Sequence, residues 1–442
     1  MLNYKFTNVK QKLDDIICQM SQTPWLFCRT PGKDFSRTSK LGLQHLISLL
    51  LSMEGKSISN ELLNYYNCSK DTPSASAFVQ CRHKLLPEAM AFLFHEFTGS
   101  CAPDKTYKGF RLLAVDGSDV QIPTNLEHTE SLMVTSDTSA PYNLLHLDAI
   151  YDLCSHLYLD VVVDGIRTCS EQRALNSMVD RSEIEKAIIM ADRGYESYNV
   201  LAHVQEKGWK FLIRIKDGIG GIVSGVDLPE TEEFDEFFDM HLAFKQTNEM
   251  KKLYKDRNHY KKLKAAHEFD YLPKKNRKSC PVEPYHLPFR IVRVKINDDL
   301  TETLITNLEP VLFPPEELKR LYAMRWGIET SFRTLKYTIG LLHFHSKKVE
   351  FIRQEIYARL IMYNFSELTI SHIIIQRKER KYAYKANFST AVHICREYIL
   401  GNVSPPDVEA MIARSISPIR PSRNNPRKQS KTGYISFTYR LA

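Results

Sequence analysis

From Lys108 onward the chain stops reading as helix and starts reading as strand, and two of its strands run directly into an aspartate. Phe110 to Val115 is an apolar run that ends at Asp116-Gly117-Ser118. Ala187 to Ala191 is a short, fully apolar run that ends at Asp192-Arg193-Gly194-Tyr195. A strand apolar on both faces belongs in the middle of a covered sheet. If each strand stops at its aspartate, each carboxylate sits at the sheet's carboxyl edge, where α/β folds place their sites. A single Asp-Gly is an ordinary turn signal. Two apolar strands of one sheet, each ending in Asp, are harder to dismiss as turns.

The surrounding pattern fills in the sheet. Leu144 to Tyr151 and His156 to Val163 flank a turn and read as a hairpin, and Trp209 to Ile215 and Thr303 to Thr306 read as further strands. Glu171 to Asp180 and Tyr198 to Lys207 read as helices, and Phe313-Pro314-Pro315 opens a long helix from about Glu316. Strands followed by alternating helix and strand predict an α/β fold with a mixed sheet and flanking helices. The first hundred residues are helical by spacing, at Leu41 to Met53, Ser59 to Tyr66 and Ala75 to Phe97. Arg82 and Lys84 in the last of these suit either a helix-turn-helix-like DNA reader or a plain helical bundle.

Charge divides the chain further. Lys and Arg total 60 against 52 Asp and Glu, a formal net charge of +8, but the excess is uneven. Residues 217–244 hold eight acids and no Lys or Arg, 245–278 hold twelve basic residues and four acids, and 411–442 hold seven basic residues and no acid. One charged run is usually a solvated face. Two separate basic blocks point to a polyanionic partner. The block at 245–278 also carries Tyr254, Tyr260, Phe269 and Tyr271, which suit base stacking or strands with one buried face.

Nine scattered cysteines without a C-x-x-C pair support neither a zinc ribbon nor a thioredoxin-like site, and a cytoplasmic location is expected. Met1 to Met20 has no apolar core, so no secretion signal is expected. The most apolar stretch, Ile356 to Ile375, is broken by Arg359, Glu367 and His372, which favours a buried helix over a membrane span.

The long helix after Pro315 supplies a third acid. Tyr322, Arg325, Glu329 and Lys336 fall at roughly 0°, 300°, 340° and 320° around a helix that turns about 100° per residue. They form one polar stripe beside the apolar stripe of Leu321, Met324, Ile328, Phe332, Leu335 and Ile339. An exposed face with i,i+4 pairing gives the same pattern. Two strand-end aspartates and a helix glutamate, however, suit a two-ion site, because Mg²⁺ or Mn²⁺ prefers carboxylate oxygens and keeps positions open for water and phosphate.

With these residues in place the sequence resembles the bacterial insertion-sequence transposases of the DDE type, in the branch carrying the Y-x2-R-x3-E-x6-K signature. Tyr322, Arg325, Glu329 and Lys336 meet every spacing, and Asp116-Gly117-Ser118 and Asp192-Arg193-Gly194-Tyr195 match the other two motifs. The resemblance implies a ribonuclease-H-like catalytic domain at 105–216 and 304–400. It also implies an insertion domain at 217–303, an N-terminal helical DNA-binding domain at 1–104 and a basic tail at 401–442. Asp116, Asp192 and Glu329 would be the catalytic, metal-binding triad for two Mg²⁺ or Mn²⁺ ions. Tyr322, Arg325 and Lys336 would contact DNA. Cut-and-paste transposition is implied, on double-stranded DNA that includes terminal inverted repeats and target, by a homodimer holding two ends and through a hairpin intermediate. One departure stands out: the insertion has no Trp to stack on a flipped base, the chain's three being Trp25, Trp209 and Trp326. A DNA-binding derivative that has lost activity is the alternative, and the intact triad and signature argue against it.

Overall fold

The computed structural model describes residues 5–37, 39–134, 136, 140–216, 221–244, 247–273, 283–297, 300–375 and 382–419. Most of the basic tail therefore lies outside the described residues. Five helices come first: α1 (Thr7–Gln22), α2 (Leu43–Ser52), α3 (Ile58–Tyr65), α4 (Ala75–Lys84) and α5 (Ala89–Cys101). Ser57 and Ser74 cap α3 and α4 through their side chains. The expected single helix from Ala75 to Phe97 is two, because Pro87 lacks an N–H and keeps Leu86 out of helical geometry.

The sheet strands follow as β1 (Arg111–Ile122), β2 (Leu132–Met133), β3 (Tyr142–Asp152) and β4 (Leu157–Gly165), then α6 (Glu171–Arg181), β5 (Ala187–Ala191), α7 (Tyr198–Glu206) and β6 (Lys210–Arg214). The 217–303 block contributes β7 (Phe234–Ala243), α8 (Asn248–Leu253), β8 (Tyr260–Lys262) and the long β9 (Tyr285–Asn297). After β10 (Leu300–Thr306) come α9 (Pro315–Met324), α10 (Trp326–Thr334), α11 (Val349–Ser371), β11 (Tyr384–Ala386), α12 (Phe388–Ile399), α13 (Pro405–Arg414) and β12 (Ile416–Pro418). Ten strands form one mixed sheet in the order β2-β3-β1-β5-β6-β10-β9-β7-β8, with β4 also paired to β3. β1, β5 and β6 run parallel, while β3, β4, β10, β9 and β7 add antiparallel edges. Strands of the charged block thus prolong the main sheet.

Alternation along the strands separates two cores. Leu112 and Ala114 of β1, with Ile188 and Met190 of β5, face the N-terminal helices and α9 to α12. Leu113 and Val115, with Ile189 and Ala191, face α6, α7 and the apolar side of the charged block. Every second residue of a sheet covered on both sides is therefore apolar on each face, which accounts for the unbroken apolar runs. No helix among the described residues is long and apolar enough to cross a membrane.

Arg82, one of the two basic residues offered above as a DNA reader, is fully buried. It donates to Gln354 and to Glu355 of α11, the latter at 2.7 Å, and fastens α4 to the centre of the molecule. Glu355 also accepts from His345, with Nδ1 at 3.0 Å. Burial alone would raise the Glu355 carboxyl, but the charges of Arg82 and His345 hold it at about 2. Burial alone would lower His345, but Glu355 and Glu61 push it up to about 9. The signs fix a window of greatest stability. The raised imidazole contributes fully below its unfolded pKa of about 6.5 and loses its contribution as pH rises through about 9. The lowered carboxyl contributes above about 4.5 and loses its contribution as pH falls through about 2. The melting temperature of the protein is therefore expected to fall between pH 6.5 and 9 by more than that of a His345→Gln variant. Parallel curves for the two would show that this cluster contributes nothing to the alkaline limb.

Candidate active site

β1 does not stop at Asp116. It continues through Gly117 and Ser118 to Ile122, paired throughout with β3, with Asp116 opposite Ala149. The strand-end expectation is corrected for this residue: the Gly-Ser-Asp that reads as a turn is held extended by its antiparallel neighbour. On its other side, β1 pairs with β5 only as far as Ala114 opposite Met190. Each aspartate lies two residues past that last pair, and the charge of Asp192 is felt by the Asp116 carboxyl. Asp192 does end its strand, and its side chain caps a short 3-10 turn at Arg193–Tyr195 by accepting from the Gly194 N–H at 2.8 Å. Asp116 has the parity of Leu112 and Ala114 and so faces the helical side of the sheet.

Glu329 arrives on that same side. Helices α9 and α10 are separated only by Arg325, itself in helical geometry, and a five-residue π-helical turn, Leu335–Ile339, follows before Gly340 ends the run. The single long helix expected from the sequence is thus an irregular one, and π turns recur at functional sites. α10 packs on β1 and the π turn follows it. Arg325 Nη2 donates to Glu329 Oε1 at 2.8 Å, and Nη1 lies 3.8 Å from Asp116 Oδ2, so one guanidinium spans both carboxylates. Lys336 Nζ donates at 2.7 Å to the carbonyl of Asp119, three residues beyond Asp116 on β1. Arg325, Glu329 and Lys336 therefore all point at β1, as the helical stripe predicts. Tyr322 is buried and its Oη has no hydrogen-bond partner, nor do Nε and Nη1 of Arg325.

The electrostatics follow from that packing. The Asp116 carboxyl is pushed up to about 6, first by burial and then by the charges of Glu329 and Asp192, against the pull of Arg325. Tyr322 is pushed up to about 12, chiefly by burial. The three acids come from separate elements and supply oxygen donors of the kind a divalent metal prefers, and Asp116 and Glu329, both half-buried, share one guanidinium.

A second group, not singled out from the sequence, lies on the opposite face of the sheet. His146 and Asp148 of β3 meet Glu171, the first residue of α6. His146 Nδ1 is 2.6 Å from Asp119 Oδ1, and Tyr195 donates to Asp148. Burial would lower the His146 pKa, but hydrogen bonds to Asp119 and Asp148 push it up to about 10. No local pattern marks these residues, because His146 and Glu171 are 25 positions apart and meet only through the β3–β4 hairpin.

Of the aromatics in the charged block, Phe269 is buried, Tyr260 stacks on His241, and Tyr271 packs against His203, Phe269 and Tyr285. Trp209 is buried, whereas Trp326, beside Arg325, is 48% exposed.

Residues 107–365 match the family of transposase DDE domains. That is more than half of the chain, and the protein belongs to this family: it is a DNA transposase, a metal-dependent enzyme that cleaves and joins DNA. Among characterised relatives it is similar to the transposase InsG of insertion sequence element IS4 from Escherichia coli strain K12, 23% identical over 341 residues, which is 74% of this chain and 70% of that one. Among solved structures it matches a piggyBac transposase in a synaptic complex with hairpin DNA, with a TM-score of 0.46, 9% identity and coverage of 98% of this chain and 89% of that one.

Proposed function

We infer that Asp116, Asp192 and Glu329 are the catalytic carboxylates of this transposase, on a ribonuclease-H-like core, and that the chain cuts and joins insertion-sequence ends as a dimer holding two of them. The observation that carries the reading is the single guanidinium of Arg325 spanning Asp116 and Glu329, with Asp192 on the neighbouring strand. The three carboxylates would hold two Mg²⁺ or Mn²⁺ ions, which activate the attacking oxygen and stabilise the leaving one when bound. Arg325 fixes the rotamers of two carboxylates that would otherwise repel. Its Nε and Tyr322 Oη, which have no hydrogen-bond partner, are donors left for phosphate oxygens of the end. Lys336, clamped to the Asp119 carbonyl, sets a positive charge three residues along the same strand. The test maps the metal. Fe²⁺ with ascorbate and peroxide should cut the backbone near positions 116, 192 and 329. A pattern with no cut near Glu329 would remove it from the site.

The DNA interface is proposed to include the 217–303 block and the N-terminal helices. Lys251, Lys252 and Lys262 are exposed there, while Lys261 is half-buried on the Ser224 carbonyl. Neutralising the three exposed lysines together is expected to flatten the log–log salt dependence of end binding by up to about 0.9 for each phosphate no longer neutralised. An unchanged slope would leave that basic face a solvated one.

A further inference from the structure

We propose that His146, Asp148 and Glu171 form a second divalent-metal site, of the zinc class, on the face of the sheet opposite Asp116. The chemistry of the donors carries it. An ionised carboxylate can only accept, so the 2.6 Å contact of His146 Nδ1 with Asp119 Oδ1 fixes the imidazole N–H on Nδ1 and turns Nε2 toward the pocket. This is the carboxylate–histidine arrangement that orients a metal-binding imidazole. Nε2 faces Asp148 Oδ1 at 3.4 Å and Glu171 Oε1 at 3.7 Å, and one donor atom from each residue lies within 4.8 Å of the others. Ligands of a tetrahedral ion with bonds near 2.0–2.1 Å are about 3.3 Å apart.

Two further observations point to a missing ligand. Asp148, with no exposed surface, has its Oδ2 buried without a hydrogen-bond partner, and His146 Nε2 is buried with only the 3.4 Å approach of Asp148 Oδ1 beside it. Unpaired buried polar atoms are costly, and an ion between them satisfies both. The space is also kept clear by two glycines of the sequence motifs. A Cβ at Gly117 would come within 2.5 Å of His146 Nε2 and 2.9 Å of Glu171 Oε1, and one at Gly194 within 2.8 Å of Glu171 Oε2. One imidazole nitrogen and two carboxylates suit Zn²⁺ with an open position better than Mg²⁺, which favours oxygen throughout. The site would tie β3 and α6 together behind the backbone that carries Asp116 and Asp192. It is a positioning site, since none of its ligands faces the helical side. Gln172, the next residue of α6, already donates to the Gly194 carbonyl at 3.1 Å.

The inference does not depend on the triad, and its test removes the triad. The probe is Co²⁺, added to the full chain carrying Asp116→Asn, Asp192→Asn and Glu329→Gln. His241→Gln and His286→Gln are included because Asp239, His241 and His286 form a separate, exposed ligand group. This chain is expected to bind one Co²⁺ with visible absorption of a nitrogen-containing, low-coordination site. Glu171→Gln, half-exposed and checked for fold by circular dichroism, should abolish the absorption, as should His146→Gln. Asp119→Asn should weaken binding about 10–100-fold, the cost of losing an orienting partner. No bound Co²⁺ in the parent chain, or binding unchanged by Glu171→Gln, overturns the site.

Discussion

Replacing any one of Asp116, Asp192 or Glu329 by its amide is expected to slow strand cleavage at a transposon end by about a thousandfold or more, which is about 4 kcal/mol of transition-state stabilisation. End binding should change little. An amide keeps the size of the side chain and removes the charge that holds a divalent ion, while affinity for the end comes mainly from Lys and Arg at phosphates. The structure makes the three variants distinguishable. Asp116→Asn leaves the Arg325 guanidinium with only one of its two carboxylates, and Glu329→Gln leaves it with the other. Asp192→Asn leaves that pairing intact and keeps a side-chain oxygen able to accept from the Gly194 N–H. Asp192→Asn should therefore melt within about 1 kcal/mol of the parent while losing cleavage as fully as the other two. Cleavage persisting in any one variant would take that residue out of the triad.

The second large effect concerns stability. Arg82→Met is expected to cost about 3–5 kcal/mol of unfolding free energy, because it leaves Glu355 charged and buried without its main partner. The ion pair sits on a face where α4, α5 and α11 share one core with the sheet. Breaking the pair should lower the midpoint of a single urea transition rather than release the N-terminal helices separately. Replacing both partners, Arg82→Met with Glu355→Leu, should recover only part of the deficit, since a buried pair contributes little net stability over apolar residues but His345 then loses the carboxylate that accepts its Nδ1–H. A single variant that unfolds at the parent's midpoint would contradict this account of the ion pair. If the double variant is instead destabilised by the sum of the two single effects, the apolar replacements do not fill the space.

Much of this arrangement is legible in the residues. The apolar runs before Asp116 and Asp192 announce central strands, and the 3.6-residue period puts Arg325 and Glu329 on one face. What the sequence hides has physical causes. Gly117-Ser118-Asp119 has the composition of a turn, yet hydrogen bonds to β3, distant in sequence, hold it extended as far as Ile122. Phe234–Ala243 carries acids on its outer face, so its charge masks Phe238, Met240 and Leu242, which fill the second core. The irregularity at Leu335–Ile339 leaves no mark in an apolar period that continues through it. Burial of Arg82 and the meeting of His146 with Glu171 are tertiary facts, set by neighbours 273 and 25 residues away.

The central claim is that Asp116, Asp192 and Glu329 are the carboxylates through which this transposase cuts and joins DNA with a divalent metal. The direct measurement incubates the full chain with DNA carrying the element's own ends, flanked by donor sequence, with and without Mg²⁺. Double-strand excision in Mg²⁺, none in EDTA, and none from the Asp116→Asn, Asp192→Asn or Glu329→Gln variants is the predicted result. Excision in EDTA, or by any of the three variants, would contradict it.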